Sequence, residues 1–366
     1  MPKAVLITSH FWDSKRKAGF HNIANSLMNL NYEILFLTGN ASYIHNLKRD
    51  YRAELSAKST LNKMIKDTGL LNRFIRFTLL HPVNYRSGII NRILLRNVKK
   101  YKNALEGFPE LDRFIKNSDL FIFESFPGLL WMEHFKKLNQ KAKYVYRVSD
   151  DMRQLKKHPY VIEHETKILD KFDLVSVPSE YFMKLFPFSN VKLHNHGIDK
   201  KIFDDASDNP YGNNESLRFI FSGNAYLDYD FLKTAAELSV KDEFYILGPF
   251  EDKLKLPNVF FRGELDFKDT VPYIKFADAG LHTLKYTAGA ESFSDSLKVI
   301  QYSYCRLPVI APDFIKSTRN NFIHYKSGNS QSIENAISSA KNFDKSKIDT
   351  GGISSWDELT KKIISE

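Results

Sequence analysis

Short apolar runs alternate with helical stretches along nearly the whole chain, and the series occurs twice. In the first half, residues 3–9, 32–37, 120–124, 143–148, 174–177 and 191–194 are brief runs rich in branched and aromatic side chains, as buried strands require. Between them lie segments of helical period: 19–30, where Ile23, Ala24, Leu27 and Met28 share one face, then 129–138, 164–171 and 181–185. Residues 199–216, with Pro210 among Asp, Asn, Gly and Lys, break the pattern and read as a linker. The series then resumes, with strands at 217–221, 244–247, 259–262, 279–284 and 307–311 and helices at 229–238, 270–277, 297–304 and 332–340. Strands joined through helices build parallel sheets covered on both faces, so the expected fold class is α/β: two doubly wound, Rossmann-like domains facing a cleft. Residues 1–198 make the first expected domain and 217–350 the second. Residues 351–366 are expected to form a C-terminal helix that packs back on the first.

At 366 residues the chain can bury two cores, and 43% hydrophobic with 26% charged residues suits a soluble globular protein. No run approaches the roughly 18 apolar residues that a membrane span needs. Met-Pro-Lys leads directly into the first strand without the regions of a signal peptide, so a cytoplasmic location is expected. The one cysteine, Cys305, allows neither an internal disulfide nor a Cys-rich zinc site. Lys and Arg number 53 against 43 Asp and Glu, a net charge of +10 that is unevenly spread. Residues 68–105 contain no acidic residue, while Arg73, Arg76, Arg86, Arg92, Arg96, Lys99, Lys100 and Lys102 are interleaved with Leu, Ile, Phe and Tyr. Such a stretch suits an anionic membrane surface or a nucleic acid. No helix-turn-helix or base-stacking signature accompanies it, which disfavours nucleic acid.

Ligands of open α/β sheets bind beyond the carboxyl ends of the strands. In the first half those ends carry Ser9, His10 and Asp13, followed by Lys15 and Arg16, then Glu124 and Ser125, then Ser149, Asp150 and Asp151. A dinucleotide-binding loop would show glycines after the first strand, so a Rossmann dehydrogenase is disfavoured. In the second half the ends carry Ser222, Gly223 and Asn224, Gly248 and Pro249, Gly263 and Glu264, and Lys285 and Tyr286. Residues 291–312 then read as a small-polar loop, a helix capped by Ser294 or Asp295, and a strand closed by Pro312. The first turn of that helix, with Lys298 in it, offers free N–H groups, a positive dipole end and a full charge to an anion. One half thus offers carboxylates and a histidine for general-base work, and the other a seat for a phosphate-bearing donor.

Four places carry a resemblance: 5–10 with 15–18; Tyr146-Arg-Val-Ser-Asp-Asp151; Arg262-Gly-Glu-Leu265 with Tyr273-Ile-Lys275; and 294–302 with Leu307-Pro308 and Ala311-Pro312. In them the chain resembles the GT-B glycosyltransferases, and more narrowly the glucuronosyltransferases of xanthan assembly. The resemblance implies an N-terminal acceptor domain, a C-terminal nucleotide-sugar domain, and inverting transfer with no cofactor and no metal. It implies Asp150 or Asp151 as the general base, and the pattern does not choose between them. Lys298 would offset charge on the leaving diphosphate, assisted by Ser294 and Ser296 at the helix start. Glu264 would lie near the nucleoside, Gly223 and Asn224 along the diphosphate, with Tyr286 and Gln301 as further donor contacts. His10, Asp13, Lys15, Arg16 and Glu124 would stand on the acceptor side. Gln301 occupies the place of the second Glu in the commonest GT-B signature, which separates the chain from the large retaining family. The donor implied is a UDP-sugar, with glucuronic acid favoured and UDP-glucose or GDP-mannose as alternatives; a non-catalytic GT-B-like subunit is the remaining one. The acceptor implied is a polyprenyl-diphosphate-linked saccharide of exopolysaccharide or capsule synthesis. The basic stretch 68–105 would then dock the enzyme peripherally on the inner face of the cytoplasmic membrane.

Overall fold

The structure is a computed structural model and describes residues 1–14, 17–43, 51–67, 69–79, 81–84 and 87–366. Lys15, Arg16, Thr68 and Arg86 therefore lie outside the described residues. The chain divides into two compact units, Met1–His194 with Trp356–Glu366, and Asn195–Ser355.

In the first unit, the strands are β1 (Lys3–Thr8), β2 (Glu33–Ser42), β3 (Met64–Lys66), β4 (Leu71–Thr78), β5 (Leu120–Glu124), β6 (Lys143–Arg147), β7 (Leu174–Val177) and β8 (Val191–Leu193). They form one sheet in the order β3-β4-β2-β1-β5-β6-β7-β8, parallel except for the β3–β4 pair. Central strands of such a sheet are covered on both faces and read as continuous apolar runs, as Ala4 to Ile7 do. Successive side chains take opposite faces. Val5, Ile7, Phe121, Phe123, Tyr144 and Tyr146 pack with Trp131 and Phe135 on one face. Ala4, Leu6, Ile122 and Val145 pack on the other with Phe20, Ile23 and Leu27 of helix Gly19–Asn29 and with Leu359 and Ile363 of helix Trp356–Ser365.

The second unit has β9 (Arg218–Ser222), β10 (Glu243–Leu247), β11 (Val259–Gly263), β12 (Ala279–Leu281), β13 (Val309–Pro312) and β14 (Phe322–Tyr325) in the order β11-β10-β9-β12-β13-β14, all parallel. This unit begins at Asn195, so residues 199–216 lie inside it. Their polar composition belongs to solvent-facing positions, while Phe203 of helix Lys200–Asp205 and Tyr211 are buried against the sheet's aromatic residues.

The basic stretch is not one surface. It divides between β4 and helix Gly88–Lys100, and Arg73 and Arg76 on β4 are tied down within the unit. Arg73 pairs with Asp67 at 2.7 Å and Asp13 at 2.5 Å, and Arg76 donates to Asn62 Oδ1 at 2.7 Å and to the carbonyls of Phe77 and Ala104. Among the described residues no helix is long and apolar enough to cross a membrane.

In the first sheet the strand order reverses between β1 and β5, and in the second between β9 and β12. Ligands of doubly wound sheets bind at such reversals.

Candidate active site

Glu124 closes β5 at the reversal in the first sheet, and it is buried. Its Oε2 accepts hydrogen bonds from Thr8 Oγ1 (2.6 Å), the Ser9 N–H (2.9 Å) and Ser9 Oγ (3.2 Å). Its Oε1 faces His10 Nε2 at 3.2 Å and accepts from Ser149 Oγ at 3.1 Å. Desolvation pushes this carboxyl up, but His10 and the converging donors outweigh it and hold it down at about 2. Burial pulls His10 down, and Glu124 beside it reverses the direction, so the imidazole is raised. The result is a histidine–carboxylate pair anchored at the end of the central strands.

Asp150 lies three residues beyond β6. Its N–H and that of Ser149 both donate to Ser125 Oγ, at 3.0 and 3.1 Å, which fixes the turn. The Asp150 side chain is accessible at the surface although protein crowds it on most sides. Among the described residues, no side chain pairs with its carboxyl. Desolvation raises it and Glu124 pushes the same way, against the weaker pull of His10 and Lys157. A reachable carboxyl with raised proton affinity is the kind of group that general-base chemistry uses.

Asp151 differs in every respect. It is buried, its Oδ1 accepts the Arg153 N–H at 2.8 Å and pairs with Arg153 Nε at 2.7 Å, and its Oδ2 accepts from Tyr181 Oη at 3.0 Å. Arg153 also faces Glu165 at 3.7 Å; Glu165, pushed up to about 7 by desolvation, accepts from Tyr146 Oη. This aspartate's acceptors are taken up in joining the β6 turn to the helices around it. Sequence reasoning missed the partners because Tyr181 and Glu165 lie far along the chain. It also missed Arg147, buried at the end of β6, which ties neighbouring strands by donating to Ser176 Oγ (2.9 Å) and the His194 carbonyl (2.7 Å).

In the second unit the reversal between β9 and β12 brings together Gly223, Lys298 and the start of helix Leu297–Tyr304. Gly248 has a φ of +135°, and a Cβ there would stand 1.8 Å from the Gly223 carbonyl oxygen, so only glycine lets the β9 and β10 ends meet this closely. Lys298 is half-buried along its stem with its ammonium enclosed, 3.9 Å from the centroid of the Phe221 ring. Desolvation lowers it to about 7. A cation over an aromatic face, with no carboxylate beside it among the described residues, is a seat for an anion.

The helix begins two residues later than a cap at Ser294 would place it. Ala290–Phe293 forms a 3-10 turn, and Ser296 rather than Ser294 or Asp295 is the N-cap, with no side chain bonded to the first turn. Ser294 instead donates to Asp295 Oδ2 at 3.4 Å, and Asp295 pairs with Arg319 at 3.0 Å. Ser296 Oγ is enclosed without a hydrogen-bond partner among the described residues. Glu264 and Asn224 are exposed at the same carboxyl edge of the sheet, and Tyr286 is exposed with its ring against Phe314. Gln301 is buried further along the helix. On the other unit, Asp13 is exposed and engaged by Arg73. Among the described residues, no group of three or more His, Cys, Asp or Glu is placed to hold a metal ion.

A family model for the N-terminal domain of the glucuronosyltransferase GumK matches residues 6–178. The chain is 23% identical to the UDP-glucuronate:glycolipid 2-beta-glucuronosyltransferase of Xanthomonas campestris pv. campestris, across 99% of this chain and 89% of that protein. Anabaena HepE, solved in complex with UDP and glucose, aligns over 100% of this chain and 99% of its own with a TM-score of 0.62 at 12% identity. An E. coli trehalose-6-phosphate structure bound with UDP-2-fluoro glucose aligns over 99% and 95% with a TM-score of 0.58 at 11% identity. The chain is thus similar in sequence to GumK, shares the GT-B fold of the aligned structures, and is a glycosyltransferase.

Proposed function

We propose that this enzyme moves glucuronic acid from UDP-glucuronate to a lipid-linked oligosaccharide, with inversion and without a bound metal, in exopolysaccharide or capsule synthesis. The observation that carries the reading is the Asp150 carboxyl, reachable, unpaired among the described residues and raised in proton affinity. In the reaction, Asp150 takes the proton of an acceptor hydroxyl as its oxygen attacks the anomeric carbon. The bond from that carbon to the diphosphate breaks, and the electron pair leaves with a phosphate oxygen. Lys298 and the uncapped helix start would offset the charge that grows there. His10 and Glu124 would lie along the acceptor, holding the β1 and β5 ends in place.

The glycolipid glucuronosyltransferase relative supports both the donor sugar and a lipid-linked acceptor. The UDP in the two aligned structures supports the nucleotide. A glucuronate carboxylate calls for a cation of its own. Arg306 is committed to the carbonyls of Ser346 (3.3 Å) and Ile348 (3.0 Å), and Lys298 to the phosphates in this reading, which leaves the exposed Lys285. The exposed face of helix Gly88–Lys100 supports peripheral binding to an anionic membrane.

The test is transfer to a lipid-linked oligosaccharide from UDP-glucuronate, UDP-glucose and GDP-mannose in parallel, with EDTA present. Glucuronate transfer with an inverted anomeric centre is expected. Asp150→Asn should abolish it while leaving the unfolding midpoint in place, and transfer retained by that variant would remove Asp150 from the mechanism.

A further inference from the structure

His282 follows β12 directly and is 0% exposed, and among the described residues neither ring nitrogen meets a partner at hydrogen-bond geometry. The Phe293 backbone beside the ring favours its protonated form, at a geometry short of a formed hydrogen bond. Alternation along the strand gives the direction. A Cβ on Gly280 would run into the Tyr302 ring at 2.4 Å, so that face of β12 is turned to helix Leu297–Tyr304, and His282, two residues on, shares it. The ring therefore points to the helix start, close enough to Lys298 for the ammonium to oppose its protonation.

Buried imidazoles are ordinarily satisfied by a protein group or a ligand, because an apolar side chain fills the same space without an unmet donor. Here the unmet donors converge. Among the described residues, Ser296 Oγ is enclosed without a hydrogen-bond partner, the first helical turn has no side-chain cap, and the Lys298 ammonium has an aromatic face in place of a carboxylate. A ligand that answers an N–H, a hydroxyl, helix amides and an ammonium at once is rich in acceptors and anionic. A diphosphate has that chemistry.

We propose that His282 is a ligand of the donor's diphosphate, donating its ring N–H to a phosphate oxygen beside Lys298 and the start of helix Leu297–Tyr304. This rests on the donor reading given above and adds a residue to it. Desolvation, with Lys298 adding to it, keeps the imidazole neutral, and a neutral donor suits the position. A second cation against Lys298 would repel it, whereas an N–H strengthens its hydrogen bond as charge gathers on the leaving phosphate.

The experiment is UDP binding by calorimetry to the full chain, beside the thermal unfolding midpoint without UDP. His282→Leu is expected to weaken UDP about tenfold, the loss of one hydrogen bond to a charged group. Its unliganded midpoint should stay level or rise, since an unmet polar group is gone. His282→Gln keeps an N–H and should recover part of the affinity. Wild-type affinity in His282→Leu would overturn the proposal. Wild-type protein that binds no UDP would bring down the donor reading, and this proposal with it. Should the variants fail to fold, histidine-labelled wild-type protein decides by NMR: a buried imidazole N–H resonance that moves on adding UDP supports the assignment, and one that stays fixed overturns it.

Discussion

Lys298 has a charge that its surroundings resist, and that gives donor binding a pH dependence. Desolvation brings its ammonium down to about 7, so the free protein loses this proton as pH rises through that value. A bound diphosphate would hold the proton in place. Above about pH 7, binding must first restore the charge, and affinity should fall by up to tenfold per pH unit. UDP itself does not confuse the reading, since the second ionisation of a phosphate, near pH 6, is complete there. Titrations of UDP on the alkaline side should show this slope in the wild type and weaker, flat binding in Lys298→Met; a flat wild-type profile would remove Lys298 from the donor site. The two aspartates separate at the same scale. Asp151→Ala removes one acceptor from Arg153 and one from Tyr181 and should lower the stability of the first unit by about 2 kcal/mol, less than a fully buried pair because Arg153 is 30% exposed. Asp150→Ala should leave stability unchanged, and equal losses in urea unfolding would count against the division of roles. The motif Tyr146 to Asp151 made both carboxylates visible in sequence, but adjacency gave no means of choosing. The choice lies in Tyr181, in the crowding around Asp150 and in the Glu124 pair, which are contacts across the fold. His282 left no trace in sequence for the same reason: one histidine after a strand has no pattern, and only its enclosure distinguishes it.

Helix Gly88–Lys100 is the element on which membrane binding would depend. Ser87 caps it, with Oγ accepting the Ile90 N–H at 3.4 Å, and Lys99 and Lys100 lie in the last turn, where the dipole favours cations. Val98 is buried, while Ile89 is 74% and Ile93 70% exposed, with Arg92, Arg96, Lys99 and Lys100 also exposed. Apolar side chains left in solvent beside cations are the pattern of a helix that lies in a lipid headgroup region. At about 1 kcal/mol per basic residue near an anionic surface, replacing those four cations by serine should weaken binding to phosphatidylserine vesicles by two to three orders of magnitude. Ile89→Ser with Ile93→Ser should weaken it without changing net charge. Arg73→Ala should have no such effect, since Arg73 is engaged by Asp13 and Asp67. Unchanged vesicle sedimentation of the four-cation variant would count against the docking surface. Composition alone made residues 68–105 one basic band. It could not separate β4 from the helix because Arg73 and Arg76 meet their partners through strand pairing and a turn that no local pattern announces.

At the scale of the whole molecule, the chain leaves the first unit at His194, completes the second, and returns at Trp356. The sequence offers a helix within residues 351–366, and in helix Trp356–Ser365 it is Leu359, Thr360 and Ile363 that are buried. Trp356 covers Gly19, where a Cβ would meet its ring at 3.0 Å, Lys143 Nζ donates to the Ile364 carbonyl at 2.7 Å, and Glu366 pairs with Lys192 at 3.3 Å and His194 at 3.2 Å. The last eleven residues therefore belong to the first unit, with Leu359 and Ile363 in its core, although the second unit separates them from it in sequence. A chain with two cores need not unfold in one step, and each core can be followed on its own. The three tryptophans, Trp12, Trp131 and Trp356, all belong to the first unit, so their fluorescence reports its unfolding alone. Leu359→Ala opens a cavity under the returning helix and should destabilise that unit by roughly 2–5 kcal/mol. The tryptophan-detected urea midpoint should fall, while the gain in thermal midpoint on adding UDP, which reads the second unit in the proposed function, should hold. A tryptophan midpoint that does not move would mean that the returning helix contributes nothing to the first core. A UDP response lost along with it would mean that the two cores unfold as one.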